Sequence, residues 1–72
     1  MTTKLKKNMG AILSSKRKAN NMTLRELAKV LNVSSQQITK YEKGVDNISS
    51  TRLWEIAEFF ECSILDFFPS NK

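Results

Sequence analysis

Four side chains that can do chemistry without breaking bonds fall together at Ser35, Gln36, Thr39 and Lys40. Residues three and four apart are neighbours on a helix surface, so these four share one outward face. They offer hydroxyl, amide and ammonium groups suited to reading a polar edge by hydrogen bonds. Bond-making chemistry lacks its usual residues. The 72-residue chain has no His, so metal sites and histidine-based acid–base catalysis lose their common participant. Its single cysteine, Cys62, cannot form an internal disulfide. Two glycines and seven scattered acids assemble no phosphate-cradling loop and no paired-carboxylate cleft. Catalytic residues, a cofactor, a metal and a small-molecule ligand are therefore not expected.

The elements that must hold these four residues are legible on both sides of them. Thr23 is followed three places later by Glu26, and Ser34 three places later by Gln37, each pair reading as a capping box. After Thr23, apolar residues at Leu24, Leu27, Ala28 and Leu31 make one helical face. After Ser34 only Ile38 and Tyr41 are apolar, and Gly44 supplies a stop. A buried helix, a tight turn at Asn32 and an outward-facing polar helix over residues 23–44 together predict a helix-turn-helix.

Here the chain resembles the XRE/Cro-repressor family of helix-turn-helix DNA-binding proteins. The resemblance covers about residues 9–68 and rests on Leu27-Ala28, Leu31-Asn32-Val33-Ser34, Ile38, Tyr41-Glu42-Lys43-Gly44 and Leu53…Ile56-Ala57. It implies a compact, all-α, five-helix repressor-like domain over residues 1–72, with the helix-turn-helix in helices two and three. It also implies a transcriptional regulator that binds double-stranded DNA as a homodimer, at a near-palindromic operator. The family usually carries Gln where this chain has Leu24, so one phosphate-holding side chain is missing. The resemblance further pairs Arg17 of the first helix with Glu42, and such a pair can be bidentate. Asn32 stands where the family prefers Gly, and Cys62 where it has a buried aliphatic.

With a recognition helix in the major groove, base-edge contacts fall to Ser35, Gln36, Thr39 and Lys40. Gln36 can pair bidentately with adenine N6/N7, Lys40 can donate to guanine O6/N7, and Thr39 can touch a thymine methyl. Phosphate contacts are expected from Thr23 and Arg25 on one side and from Gln37, Lys43, Asn47, Ser49 and Arg52 on the other. Arg52 can instead balance Glu55 or Asp66. Charge placement agrees with a polyanionic partner. Residues 1–43 carry ten Lys/Arg against two Asp/Glu, or +8, whereas residues 44–72 carry two against five, or −3.

The remaining elements read as scaffold. Leu5, Met9, Ile12 and Leu13 form an apolar stripe from Lys4 to Lys18, ended by Asn20-Asn21, with Met1-Thr2-Thr3 a frayed start or an arm. Ser49 caps a fourth helix with Leu53, Ile56, Ala57 and Phe60 inward. Ser63 with Asp66 reads as a capping box for a short fifth helix carrying Ile64, Phe67 and Phe68, stopped by Pro69. Trp54, Phe59 and Leu65 lie off the inner faces, and either cover the core's edge or form a dimer surface. No membrane span or leader is legible, which predicts a cytoplasmic protein at a bacterial or phage nucleoid. Two rivals stand beside the regulator: an antitoxin or restriction–modification controller of the same fold, and a protein-interaction module that has lost base reading.

Overall fold

The computed structural model describes residues 3–68; the Met1-Thr2 start and the Pro69 stop lie outside them. Four α-helices follow in order: α1 (Thr3–Ala19), α2 (Leu24–Leu31), α3 (Ser35–Glu42) and α4 (Ser50–Phe59). No described helix is long and apolar enough to cross a membrane.

The expected fifth helix is absent; Ile64–Phe67 form a single 3-10 turn instead. Only four residues separate Ser63 from the extended Phe68, too few to establish the repeating bonds of an α-helix. The Ser63 hydroxyl accepts from Leu65 N–H at 3.1 Å, and the Asp66 carboxylate lies 3.9 Å from Lys16 Nζ. The capping box read there does not form.

Helix starts are decided locally. Thr23 and Glu26 complete a reciprocal capping box, at 3.1 Å from Glu26 N–H and 2.8 Å from Thr23 N–H. Ser34 caps α3 by accepting from Gln37 N–H at 3.1 Å, but Gln37 does not reach back, because its amide is engaged elsewhere. Ser49 accepts from Arg52 N–H at 3.2 Å and opens α4.

Helix ends obey one rule throughout. Each of the four finishes with a left-handed residue: Asn21, Asn32, Gly44 and Glu61, at φ 56°, 58°, 73° and 54°. Behind each stands the same pair of Schellman bonds, as in Met22 N–H to Arg17 C=O and Asn21 N–H to Lys18 C=O. Asparagine and glycine suit that conformation; Glu61 does not, and was not anticipated.

The core is contributed by every element. Met9 and Leu13 come from α1, Leu27, Ala28 and Leu31 from α2, Ile38 and Tyr41 from α3, and Leu53, Ile56 and Ala57 from α4. Phe67, in the 3-10 turn, is fully buried, whereas Phe68 is exposed. Ile48, in the loop after α3, is also buried, a role its loop position concealed. Full burial of each large side chain contributes roughly 1.5–3 kcal/mol.

Two glycines let α1 lie against the end of α3. A Cβ on Gly10 would strike the Tyr41 carbonyl oxygen and come within 2.7 Å of the Glu42 carbonyl oxygen. A Cβ on Gly44 would come within 2.8 Å of Lys7 Cα.

Candidate nucleic-acid interface

α3 is a two-faced helix. Ile38 is fully buried and Tyr41 nearly so, while Ser35, Gln36 and Lys40 are exposed. Thr39 is half-buried and donates its hydroxyl to the Ser35 carbonyl at 3.1 Å. Its hydroxyl proton is thereby held on the helix, which leaves lone pairs and a methyl for an outside partner. The four residues read from sequence as edge contacts therefore lie along one side of one helix.

That helix is anchored at its far end. Arg17 Nε donates to Glu42 Oε2 at 2.7 Å, and Nη2 to Glu42 Oε1 at 3.2 Å. A third nitrogen, Nη1, donates to the Met22 carbonyl at 2.8 Å. The Glu42 hydrogen bond raises the Arg17 pKa above its ordinary value; burial opposes this and the charge on Glu42 adds to it. A cation shifted upward keeps its full contribution below its ordinary pKa and loses it only as pH rises past the raised value. Neutral solutions leave the pair intact.

The nominated phosphate contacts divide into free and engaged groups. Arg25 and Lys43 are exposed at α2 and at the end of α3, and Asn47 and Ser49 are exposed in the following loop. Thr23 is exposed as well, but its oxygen already accepts from Glu26 N–H, as that of Ser49 does from Arg52 N–H. In the first turns of α2, α3 and α4 one N–H each is taken by the capping hydroxyl of Thr23, Ser34 or Ser49. Gln37 and Arg52 are engaged. Gln37 Nε2 donates to Asp46 Oδ2 at 3.0 Å. Arg52 Nη1 donates to the Leu31 carbonyl at 2.6 Å and to Glu55 Oε1 at 2.9 Å. Arg52 thus ties α4 to the last turn of α2, where a cation also complements the helix dipole. Asp46 and the Leu31 carbonyl carried no signal in the sequence, since each meets its partner only through the fold.

The apolar residues left over in sequence are on the surface. Trp54 is 58% exposed and Leu65 72%, with Phe59 exposed as well and packed edge-on against Phe60. A shallow groove of about 420 Å³ runs beside Trp54, floored by Ala57, Cys62 and Ile64 and rimmed by Glu58 and Glu61. Cys62 is half-buried and packs against the core.

A short helix with one buried face, a left-handed Asn turn and a second helix with an exposed polar face define a helix-turn-helix protein. A family model described as helix-turn-helix matches residues 13–67. The chain belongs to the XRE-type helix-turn-helix family. An HTH-type transcriptional regulator from Rickettsia conorii is 40% identical over 60 residues, covering 83% of this chain and 48% of that protein. The clp gene regulator ClgR from C. glutamicum matches with a TM-score of 0.80 and 33% identity, over 88% of this chain and 82% of that one. The DNA-binding domain of BldD reaches a TM-score of 0.84 at 22% identity, over 96% of this chain and all of that domain, a likeness of fold alone. The chain spans about half the length of the curated relatives it matches.

Proposed function

We propose that this chain is a sequence-specific DNA-binding domain of a transcriptional regulator, acting as one unit over residues 1–72. The observation that carries the reading is the exposed row of Ser35, Gln36 and Lys40 on a helix buried behind by Ile38 and Tyr41. Relatives named as HTH-type transcriptional regulators support it. In this reading α3 enters the major groove, with Ser35, Gln36, Thr39 and Lys40 on base edges. Thr23, Arg25, Lys43, Asn47 and Ser49 meet phosphates directly. Gln37 and Arg52 join them only by exchanging the partners they hold in the free chain.

The regulator acts as a repressor, and as a homodimer. One short helix reads only a few base pairs, and two such helices roughly 34–36 Å apart meet a near-palindromic operator. The exposed Trp54, Phe59 and Leu65 are the surface proposed for that dimer. A cytoplasmic, nucleoid-associated location follows from the function. The same exposed aromatics favour one second reading, a protein-interaction module that keeps the fold without reading bases.

Selection of bound duplexes from a random pool, near physiological salt, tests the proposal. A two-fold symmetric enriched motif supports a dimeric reader. An unenriched pool leaves the interaction module, with Trp54 and Leu65 as the place to look.

A further inference from the structure

The end of α3 is backed by a lysine of α1. Gly10 of α1 lies against the carbonyls of Tyr41 and Glu42, and Lys7, one turn earlier, lies against Gly44. A Cβ on Gly44 would come within 2.9 Å of Lys7 N and 2.8 Å of Lys7 Cα, so the backbone of Lys7 itself is set beside the end of α3. Lys7 is exposed, as are Lys4 one turn before it and Lys43, which precedes Gly44. Among the described residues, the ion pairs are Lys16–Asp66, Arg17–Glu42 and Arg52–Glu55, and none includes these three lysines. Of the two acids that flank Gly44, Glu42 is held by Arg17 and Asp46 lies in no ion pair. The first turn of α1 has no acid, although the positive end of a helix dipole favours one. Lys4, Lys6 and Lys7 stand there instead, beside Lys43. That crowding of cations opposes folding, and a polyanion relieves it.

We propose that Lys7 is a DNA phosphate-binding residue, which extends the interface from the helix-turn-helix onto α1. The inference rests on the DNA-reading function proposed above. The eight residues of α3 span about 12 Å, whereas the major groove is about 8.5 Å deep. A helix that enters the groove by its first residues therefore carries its last turn level with the phosphate rim. Lys7 sits beside that turn, next to Lys43. The alternative role is packing, since Lys7 Cγ would lie 2.7 Å from the same Cβ position and the stem covers Gly44. Two substitutions separate charge from packing. Lys7→Met keeps an unbranched stem and removes the charge; Lys7→Arg keeps both.

The experiment is titration of the full chain with a random-sequence duplex and with the duplex enriched from the pool, at salt from about 50 to 200 mM. Lys7→Met is expected to weaken both duplexes alike and to lower the slope of log affinity against log salt by about one. Its deficit should shrink about 3.5-fold across that salt range. Lys7→Arg should keep the parent's slope. Thermal unfolding of Lys7→Met should show no loss of Tm, because a charge has left a crowded basic corner. An unchanged slope in Lys7→Met, while the parent chain still binds DNA, overturns this inference alone, whether or not Tm falls. A parent chain that binds neither duplex overturns the DNA-reading function as well.

Discussion

Arg17 and Glu42, 25 residues apart in the chain, form a two-bonded ion pair in which both side chains are nearly nine-tenths buried. The pair joins α1 to the last residue of α3, so the angle of α3 depends on a contact outside the helix-turn-helix. Such a pair need not stabilise the fold more than apolar replacements would, but removing one partner strands the other. Its value lies in orientation.

Glu42→Gln leaves the guanidinium with a neutral partner in a mostly buried place. The expected loss is roughly 2–4 kcal/mol, at the low end of the buried-pair range because some exposure remains. For a domain this small that lowers Tm by about 10 °C or more. Thermal unfolding of Glu42→Gln beside the double variant Arg17→Met/Glu42→Leu checks it. The double variant should regain much of the loss; an unchanged Tm in Glu42→Gln would mean the pair does not hold α3.

Gly10→Ala is expected to destabilise although alanine is the better helix former by about 1 kcal/mol. The added methyl meets the backbone carbonyls of Tyr41 and Glu42, which cannot turn aside as a side chain would. A net loss of roughly 1–3 kcal/mol follows, typical of overpacking. Urea unfolding measures it, and a stabilised variant would show that α1 and α3 separate freely.

Glu61→Gly should move stability the other way. Glu61 takes the left-handed conformation at φ 54° that Asn21, Asn32 and Gly44 take at the other helix ends. Glycine removes a strain of roughly 1–2 kcal/mol and restores part of it as chain entropy, for a net gain of about 0.5–1 kcal/mol. A lower denaturation midpoint would point to a contact that holds the glutamate there.

Gln36→Ala is expected to relax base preference at one position of each half-site, with affinity for the enriched duplex lower by about 5- to 150-fold. Its salt dependence should stay that of the parent, since no phosphate contact is lost. Lys43→Ala should do the reverse, lowering the slope of log affinity against log salt by about one on every sequence. Equal losses on matched and random duplexes in Gln36→Ala would remove Gln36 from the reading face.

Much of the fold was legible because its signals are short-ranged. The N-caps Thr23, Ser34 and Ser49, and the left-handed Asn21 and Asn32, act on backbone groups within a few residues, so residue type and spacing suffice. The same holds for the outward row on α3, which follows from helical period once Ile38 and Tyr41 are turned inward. The misread fifth helix marks the limit of that logic. Ser63 and Asp66 have the spacing of a capping box, yet Asp66 lies nearest Lys16 of α1, and four residues do not sustain an α-helix.

By itself, then, the sequence determined where α2, α3 and α4 start, where α1, α2 and α3 stop, and which helix faces are apolar. Tertiary structure decided which partners the long side chains take. Gln37 bonds Asp46 instead of its own cap, and Arg52 bonds the Leu31 carbonyl as well as Glu55. Ile48 is buried from a loop, and Glu61 is left-handed without an asparagine's or glycine's ease. The reason is physical. A cap chooses among a few backbone groups at fixed offsets, whereas a flexible amide or guanidinium chooses among whatever groups the packed helices bring within about 3 Å.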